Sequence, residues 1–493
     1  MDYQKIRNKI NDGKKIIEKY KDETPQPVLE VCYSMFDINE MLVDKLEELD
    51  NKISKNSRNS SRPPSSDDVK PNQSQRGKSN RRSGGQQGHG GSTLKKVSCP
   101  DEIIYQKPPK KCFCGEKLLS SNFKIKSTRQ VFDVKIQKFV SEYRQMQVTC
   151  SCGQEHTGDY PKEVKAATQY GESIRGIVSY LSRYQLIPFD RLRETMNDLF
   201  DTRLSEGSIH NINTYASDSL GDFRSKFVKA IDDIKHANCD ETPIKVSGRR
   251  GYLHVFSNMA LTLIDYHKSR GIKAVEEIGV LNKFKGTLVH DCFSMYFNYG
   301  ENHAICNAHL LRELTFIEQK YQHRWAHKVK TFLYDLNELV KLEKQLKKST
   351  FGLVEKDMLR DQFQLILEQG RSEIKDLIVS VTIKGKRRGK QHPSLNLLNR
   401  MTKLQKDILR FMYDYDIPFT NNQAERDLRM AKVHQKITGG FRSEGGAKNY
   451  ALFRSYISTV KKHGINVFTA IKNLHNPIEN STLDLIFKPF PAN

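Results

Sequence analysis

The stretch Ala237-Asn-Cys-Asp-Glu-Thr-Pro-Ile-Lys-Val246 decides the fold, because it is a strand-forming run with an acid, Asp240, in its first half. Short turns follow it. The apolar pattern then predicts two strands, a helix and a fourth strand: Gly251–Ser257, Leu261–His267, Ile272–Phe284 and Thr287–His290. The fourth strand ends at a second acid, Asp291. The sequence therefore predicts an α/β core with acids on two of its strands.

The order of three strands, a helix and a fourth strand is that of the ribonuclease H-like fold. In that fold the first and fourth strands are neighbours, so we expect Asp240 and Asp291 to lie side by side. Two carboxylates at one point repel each other unless a cation lies between them. Mg²⁺ or Mn²⁺ suits such oxygen ligands. Two ions about 3.5–4 Å apart would activate the attacking oxygen and stabilise the leaving oxygen of a phosphodiester.

A third acid, Glu425, follows in Asn-Asn-Gln-Ala-Glu-Arg-Asp-Leu-Arg, where Asn421 and Asn422 are suited to cap a helix. Four residues of that helix recur on one face: Glu425, Arg429, Lys432 and Lys436. The alternative is an ordinary surface ion pair between Glu425 and Arg429, worth only roughly tenths of a kcal/mol. The next segment, 437–446, is glycine-rich and contains Arg442, so its backbone is suited to approach a phosphate. This context favours a metal ligand at Glu425.

The composition points to a polyanionic partner. The 493 residues carry a formal charge of +23 and a pI of about 9.4, which suits DNA, and the length indicates several domains. The sequence contains no apolar run near the ~20 residues that span a bilayer, and it begins with polar residues. The nine cysteines indicate reduced thiols. We expect a cytoplasmic, nucleoid-associated bacterial protein without membrane contact.

The N-terminal region, residues 1–56, is predicted to form a coiled coil. Its apolar seam has 4,3 spacing and consists of Val28, Cys32, Met35, Asn39, Leu42, Leu46, Leu49 and Ile53. Asn39 falls at an a position, which favours a fixed register in a dimer. The alternative is one amphipathic helix that packs on its own chain. The seam predicts a homodimer or a higher assembly.

Residues 57–98 are rich in Ser, Asn, Pro, Gly and Gln and form a predicted flexible basic linker. Arg81 and Arg82 belong to a basic cluster that can lie along phosphates, although a plain solvated linker is the alternative.

Residues 99–165 are predicted to form a small β-rich module, with strands over Thr128–Val140 and Ser141–Val148. Two cysteine pairs bracket these strands, each followed by a glycine: Cys112 and Cys114, and Cys150 and Cys152. Four thiolates would form a closed structural Zn²⁺ site. His156 and Cys99 are possible substitute ligands, and unligated cysteines are the alternative.

The remaining segments complete the domain prediction. Residues 166–235 are expected to be helical, and packing support is favoured there over a role in DNA binding. The catalytic core comprises 236–320 and 416–475, and 476–493 is a C-terminal tail. A helical insertion, 321–415, contains predicted helices at Trp325–Lys347, Leu359–Val379 and Leu395–Tyr415. The basic loop Lys384–Lys390 within it is a possible DNA contact or a solvated loop.

The ordered set of motifs resembles transposases of the IS66 insertion-sequence family, of the Asp-Asp-Glu type. The motifs span nearly the whole chain: Asn-Ser-Ser-Arg-Pro-Pro-Ser-Ser-Asp, Gly-Gly-Gln-Gln-Gly-His, the cysteine pairs, Cys-Asp-Glu-Thr, His-Asp, Asn-Asn-Gln-Ala-Glu-Arg and Phe-Arg-Ser-Glu-Gly-Gly-Ala. The resemblance implies that Asp240, Asp291 and Glu425 bind the catalytic metals and that Lys432 contacts the transposon end. It also implies accessory proteins encoded by the same element.

Cys306-Asn-Ala-His309 matches a Cys-x-x-His signature seen between the second Asp and the Glu of related transposases. We expect a buried structural pair without metal, because a zinc site would need two further ligands.

The predicted function is a DNA transposase that binds terminal inverted repeats, cleaves 3′ ends and transfers strands to target DNA. Two alternatives remain at this stage: a ribonuclease H-like nuclease without strand transfer, and a non-catalytic DNA-binding relative.

Overall fold

The computed structural model describes residues 3–56, 59–60, 93–375, 391–476 and 482–487. Its contacts separate the chain into two compact units. The larger unit comprises Met1–Asp68, Pro161–Met196 and Arg203–Asn493, and the smaller comprises Val69–Tyr160 and Asn197–Thr202. Within the described ranges, no helix is long and apolar enough to cross a membrane.

The helices are, in chain order, α1 Tyr3–Lys19, α2 Gln26–Ile53, α3 Glu172–Ser179, α4 Phe189–Phe200, α5 Glu206–Asp218, α6 Phe223–Lys229, α7 Ile272–Ile278, α8 Asn307–Tyr321, α9 Arg324–Gln345, α10 Leu353–Glu373, α11 Pro393–Lys403, α12 Gln405–Ile408, α13 Arg410–Tyr413, α14 Asn422–Thr438, α15 Glu444–Lys462, α16 Val467–Asn473 and α17 Thr482–Ile486. The strands are β1 Gln147–Thr149, β2 Glu155–Thr157, β3 His236–Val246, β4 Arg249–Ser257, β5 Thr262–His267, β6 Thr287–His290 and β7 Asn302–Ile305. The larger unit is thus a mixed α/β structure.

The central sheet has the order β5-β4-β3-β6-β7. Strands β3, β4 and β5 form an antiparallel meander, and β6 and β7 run parallel to β3 on its other side. The prediction that the first and fourth strands are neighbours is therefore confirmed. The helix predicted over Ile272–Phe284 is shorter, because Gly279 adopts a left-handed conformation (φ 69°) that ends α7 at Ile278.

The two faces of β3 pack against different helices. Ala237 and Cys239 belong to a hydrophobic cluster that also contains residues of α5, α6, α15 and α16. Ile244 and Val246 point to the opposite face, where they join residues of α14 and of the first half of α15. Because side chains alternate along a strand, Asp240 lies on the α14 face with Ile244. This alternation decides which helix can meet the acid.

The helical region before the sheet shares its core, since α5 and α6 contribute to the same cluster as β3. This agrees with the expected packing role. Ser205 caps α5 by accepting a hydrogen bond from Ser208 N at 3.0 Å. Tyr180–Tyr184 forms a π-helical turn after α3, and Leu186 follows at a φ of 61°.

The helical insertion has its own core, built around the fully buried Trp325 and Phe363. Helices α9 and α10 match the first two predictions approximately. The third predicted helix, Leu395–Tyr415, is wrong as a single element, because the chain leaves helical geometry at Leu404 and Leu409 and forms three short helices. Both leucines pack against the insertion core, which favours the broken path over a straight one.

The N-terminal segment is an antiparallel helical hairpin, in which α1 packs on α2. Ion pairs join the helices, with Arg7 Nη1 2.8 Å from Glu47 Oε2 and Lys14 Nζ 2.9 Å from Glu40 Oε1. The predicted seam lies mostly on another face of α2, and its aliphatic and methionine side chains are 45–78% exposed: Val28, Met35, Leu42, Leu46, Leu49 and Ile53. Chain-internal packing therefore leaves this seam uncovered, and the coiled coil stays a prediction.

The smaller unit contains little regular structure. Its strands β1 and β2 pair antiparallel over three residues each, and the predicted strands over Thr128–Val140 and Ser141–Val148 are wrong except at their end. Among residues 93–121 and 123–160, whose side chains are described, none is buried. An alternating apolar pattern needs a surface to pack on, and this module supplies none of its own.

Candidate active site

Asp240 lies on β3, and Asp291 directly follows the last residue of the adjacent parallel strand β6. The recorded pairing ends at Asn238 and Val289, and its extension by two residues would give the two acids the same register and face. Neighbouring strands lie about 4.8 Å apart, so the two backbones lie side by side where β6 ends. The carboxyl end of β6, with the neighbouring part of β3, is called the edge of the sheet below. The expected juxtaposition of the first two acids is supported by this pairing.

Glu425 reaches the same edge in the first turn of α14, the helix that packs on the Asp240 face of β3. The side chain of Asn421 holds the start of this helix. It accepts a hydrogen bond from Asn238 Nδ2 (2.9 Å) and donates one to the carbonyl of Cys239 (2.7 Å). The expectation that Asn421 caps α14 through its side chain is wrong, because that side chain joins the helix to β3 instead.

The acids influence one another electrostatically. Burial raises the pKa of Asp240 well above its usual value, and the negative charges of Glu241, Asp291 and Glu425 add to the increase. Among the described residues, however, the three acids do not place their oxygens within 4.8 Å of one another as a closed ligand group. The structure thus gathers several carboxylates around Asp240 without bringing Asp240, Asp291 and Glu425 to ligand distance.

The backbone after Asp291 makes a tight turn. Asp291 Oδ1 accepts a hydrogen bond from Phe293 N at 3.1 Å, and Cys292 between them has a φ of 73°. A non-glycine residue in this left-handed region costs about 1–2 kcal/mol, and such strain clusters at functional sites. The sequence contains no signal for this turn, because cysteine has no preference for a left-handed backbone conformation.

Glu241 faces away from Asp240 into a buried charged cluster. It forms an ion pair with Arg270, and Tyr296 Oη donates to its Oε2 at 2.5 Å. The Arg270 guanidinium lies 4.2 Å from the centre of the Phe293 ring. Burial raises the pKa of Glu241, while Tyr296 and Arg270 oppose that increase. This cluster connects β3 to the segment after Asp291, and sequence analysis missed it.

Cys306 and His309 lie directly beside Glu425. Their ligand atoms, one from each residue, fall within 4.8 Å of one another, and this is the compact group of three possible metal ligands in the described part of the chain. Cys306 is fully buried, and its Sγ accepts a hydrogen bond from Asn421 N at 3.1 Å. The sequence predicted the Cys306–His309 pair but not its third member.

The cations predicted for DNA contact fall on exposed positions of α14 and the loop after it: Arg429, Lys432, Lys436 and Arg442. Lys432 Nζ donates to the carbonyl of Pro243 at 2.5 Å, so it is tied to β3. Gly440 allows its backbone to approach β3 closely, because a Cβ there would lie 2.7 Å from the Lys245 carbonyl oxygen. Arg81, Arg82 and the loop Lys384–Lys390 lie outside the described residues.

The two cysteine pairs form matching turns. Cys112 N donates to Glu116 O, and Gly115 N donates back to Cys112 O, both at 2.9 Å. Cys150 has the same pattern with its own partners, Gln154 and Gly153. Both glycines have positive φ, 92° and 87°, as tight turns of this kind require.

Backbone N–H groups of the next cysteine in each pair lower the pKa of Cys112 and Cys150, which favours thiolates. In the described residues the four sulfur atoms do not form one compact ligand group. The zinc site therefore stays a prediction with two preformed halves.

Comparison with protein families gives two matches. A family of unknown function (DUF6444) matches residues 21–95, and the Transposase IS66 family matches residues 167–449, more than half of the chain. A comparison with curated proteins finds no match. The region that matches the Transposase IS66 family contains the five-stranded sheet, the helical insertion and all three acids. The chain therefore belongs to the IS66 family of transposases, enzymes that act on DNA in transposition.

Proposed function

We propose that this transposase cleaves the 3′ ends of an insertion sequence and joins them to target DNA, with Asp240, Asp291 and Glu425 as its catalytic residues. The observation that carries the proposal is the parallel pairing of β3 with β6, whose extension would give the two aspartates the same register and face, with α14 bringing Glu425 to the same edge. The sheet order, with β3 between β4 and β6, supports a ribonuclease H-like core.

The donor set fits Mg²⁺ or Mn²⁺. Burial and the nearby carboxylates, among them Asp291 and Glu425, raise the pKa of Asp240, and hard divalent ions prefer such oxygen ligands. When bound, two ions would supply charge stabilisation to the attacking and leaving oxygens. Asn421 and the strained turn at Cys292 keep Glu425 and Asp291 at the edge of the sheet, so the chain itself supplies the positioning.

Two successive displacements at phosphorus account for the activity. In the first, a water oxygen bonds to phosphorus at the end of the element, the bond to the 3′ oxygen breaks, and a free 3′-OH results. In the second, that hydroxyl bonds to a target phosphorus, and a target 3′ oxygen leaves. In each step the attacking oxygen loses one proton to solvent, and the leaving oxygen gains one from solvent. Because the attacking groups are water and a DNA hydroxyl, no covalent protein intermediate is needed.

The basic residues beside the acids would hold the DNA backbone. Arg429, Lys436 and Arg442 are exposed on α14 and the following loop, and cations there gain affinity by releasing counterions from phosphates. Lys432 would contact the transposon end after its Nζ exchanges the Pro243 carbonyl for a phosphate oxygen. The linker residues Arg81 and Arg82 would also bind phosphates, as the basic composition of their cluster predicts.

The other segments would organise the complex. Cys112, Cys114, Cys150 and Cys152 would bind one structural Zn²⁺, and the module would then help to recognise terminal inverted repeats. The uncovered seam of α2 would pair two copies of the chain, so that two ends are held together. Accessory proteins encoded by the same element are further expected partners.

A strand-transfer assay tests the proposal, with DNA that carries the element's own end sequence, a target plasmid and Mg²⁺. We expect joined products from the wild type and none from Asp240→Asn. Cleavage without joining would instead identify a nuclease. If DNA is bound without either reaction, the catalytic proposal is wrong.

A further inference from the structure

We propose that Cys306, His309 and Glu425 form a binding site for a thiophilic divalent ion of the Zn²⁺ type. We further infer that its occupation takes Glu425 away from catalysis, so that Zn²⁺ inhibits the enzyme. The first part stands on the geometry alone. The second part rests on the proposed function, because it needs Glu425 as a ligand of the catalytic ions.

The three groups come from two elements that meet at this point. Cys306 precedes α8 and His309 lies in its first turn, so a spacing of three residues places both side chains on one side of the helix. Glu425 lies in the first turn of α14. One ligand atom from each residue lies within 4.8 Å of the other two, which a single ion can span. The cluster therefore needs no rearrangement of the backbone to close.

Two features prepare these groups for a metal. Nδ1 of His309 is buried and has no hydrogen-bond partner among the residues that the structure describes, although a buried ring nitrogen normally finds one. Burial raises the pKa of the Cys306 thiol, and the backbone N–H of Asn421, which the sulfur accepts, opposes that increase. An unsatisfied nitrogen and a hydrogen-bonded sulfur, both beside a carboxylate, point to a shared ligand.

The chemistry of the donor set selects the ion. A thiolate, an imidazole and a carboxylate suit Zn²⁺, whereas Mg²⁺ prefers oxygen alone. Three protein ligands leave a fourth tetrahedral position for water. Asp240 and Asp291 are all-oxygen ligands and lie outside this group, so the edge of the sheet offers Glu425 to two kinds of metal site. An ion bound to sulfur and nitrogen would therefore compete with Mg²⁺ for one carboxylate.

The first experiment counts bound zinc on the full chain, after removal of metal with a chelator and dialysis against buffered Zn²⁺. Wild type and His327→Gln, a control that changes an exposed histidine of α9, should hold one equivalent more than Cys306→Ser and His309→Gln. Co²⁺ as a probe should give a thiolate charge-transfer band that weakens in Cys306→Ser. Equal zinc content in all four proteins would overturn the proposal.

His309→Gln keeps the buried cysteine, so it guards against a folding defect in Cys306→Ser. Both variants should melt like the wild type when metal-free. The Zn²⁺ affinity of His309→Gln should fall by more than about 100-fold, since the loss of a residue that only orients a metal ligand already lowers affinity by about 10–100-fold. Unchanged affinity in a folded His309→Gln would contradict the site.

The second experiment adds Zn²⁺ to the Mg²⁺-supported DNA reaction and expresses each rate relative to the same protein without Zn²⁺. Wild type and the His327→Gln control should be inhibited at a Zn²⁺ concentration that His309→Gln tolerates. Equal inhibition of His309→Gln would overturn the competition for Glu425. If the wild type performs no DNA reaction, the proposed function fails, while the zinc count still decides whether the site exists.

Discussion

The sheet edge and the cysteine module hold their functional groups in opposite ways. Around Asp240 the chain is packed on both faces of β3, and Asn421 links the strand to α14 through buried hydrogen bonds. Around Cys112 and Cys150 the turns are formed, yet the described residues between 93 and 160 contain no buried side chain. In the first region packing positions the functional groups, whereas the second region has no core of its own and needs a bound ion or a partner to hold it together.

This difference teaches what metal does in each place. In the sheet, ions would be reagents that the folded chain receives, and their removal should leave the fold intact. In the module, an ion would replace the missing core, as it does in small metal-stabilised domains. The same chain would thus contain one metal centre that serves chemistry and one that serves folding.

The largest expected effect tests the sheet edge. Asp291→Asn should lower the rate of end cleavage by about 10³-fold, because several kcal/mol of charge stabilisation depend on a complete ligand set. Its melting temperature and DNA affinity should stay close to those of the wild type. Glu301→Gln, an exposed acid between β6 and β7, is the control and should keep its activity. Equal losses in both variants would remove Asp291 from the catalytic centre.

Chelation of zinc should change hydrogen exchange in the cysteine module and leave the central sheet unaffected. With zinc removed, hydrogen exchange at Gly115 N and Gly153 N should accelerate by at least about 10²-fold, because the turns lose the ion that holds them. Amides of β3 and β4 should keep their protection. Hydrogen exchange followed by mass spectrometry measures both regions at once. Uniform behaviour of the two regions would contradict a structural ion in the module.

The link between strand and helix should appear as a stability effect. Asn421→Ala should destabilise the larger unit by about 2–3 kcal/mol, because it leaves Asn238 Nδ2 and the Cys239 carbonyl without partners. Asn422→Ala, at the exposed neighbouring position, should cost less than about 0.5 kcal/mol. Urea unfolding gives both values. Similar costs at the two positions would show that Asn421 does not hold α14.

Asp240 offers a pH test of the same edge. Burial, with Glu241 and Asp291 next in effect, raises its pKa, so the folded chain holds this proton more tightly than the unfolded chain. The ionised acid therefore costs stability at neutral pH, and the cost fades as the pH falls towards the usual value of 3.8. Without divalent ions, Asp240→Asn should melt a few degrees above the wild type at neutral pH.

The advantage of Asp240→Asn should shrink at acidic pH and also when Mg²⁺ is added, because either change neutralises the wild-type carboxylate. Melting curves across pH, with and without Mg²⁺, measure it. A gap that grows towards acidic pH would contradict the sign of the pKa shift.

The smallest expected effect concerns DNA contact. Lys436→Gln on α14 should reduce the slope of log affinity against log salt by about 1, because one phosphate contact is lost. Lys328→Gln, an exposed lysine of α9, should leave the slope unchanged. Fluorescence anisotropy at several salt concentrations measures this. If both variants share the wild-type slope, α14 does not lie along the DNA.

Local pattern was sufficient for the strands of the sheet, because each is a short apolar run between turn residues. The expectation that β3 and β6 are neighbours followed from the order of strands and helix along the chain, and the sheet confirms it. Other features depend on tertiary contacts that no local pattern encodes. The side chain of Asn421 has the same chemistry as a helix cap, and only the nearby β3 carbonyl redirects it. The approach of Glu425 to Cys306 joins elements from opposite ends of the insertion.

The smaller unit shows the converse failure. Thr128–Val140 has strand-like residues, but a strand pattern reports only a tendency to pack on a surface. Without a buried face in the described part of this unit, that tendency has no effect. The cysteine turns were predictable, because the glycine three residues after Cys112 or Cys150 fixes their geometry locally.

The insertion between β7 and α14 would also set when the enzyme becomes active. Glu425 follows Asp291 by 134 residues (425 − 291), and the insertion core is built largely from the chain between them. A nascent chain that contains both aspartates still lacks Glu425. Under the proposed function, a chain that stops short of α14 would therefore be unable to cut the DNA it binds, and cutting would be reserved for molecules synthesised beyond α14.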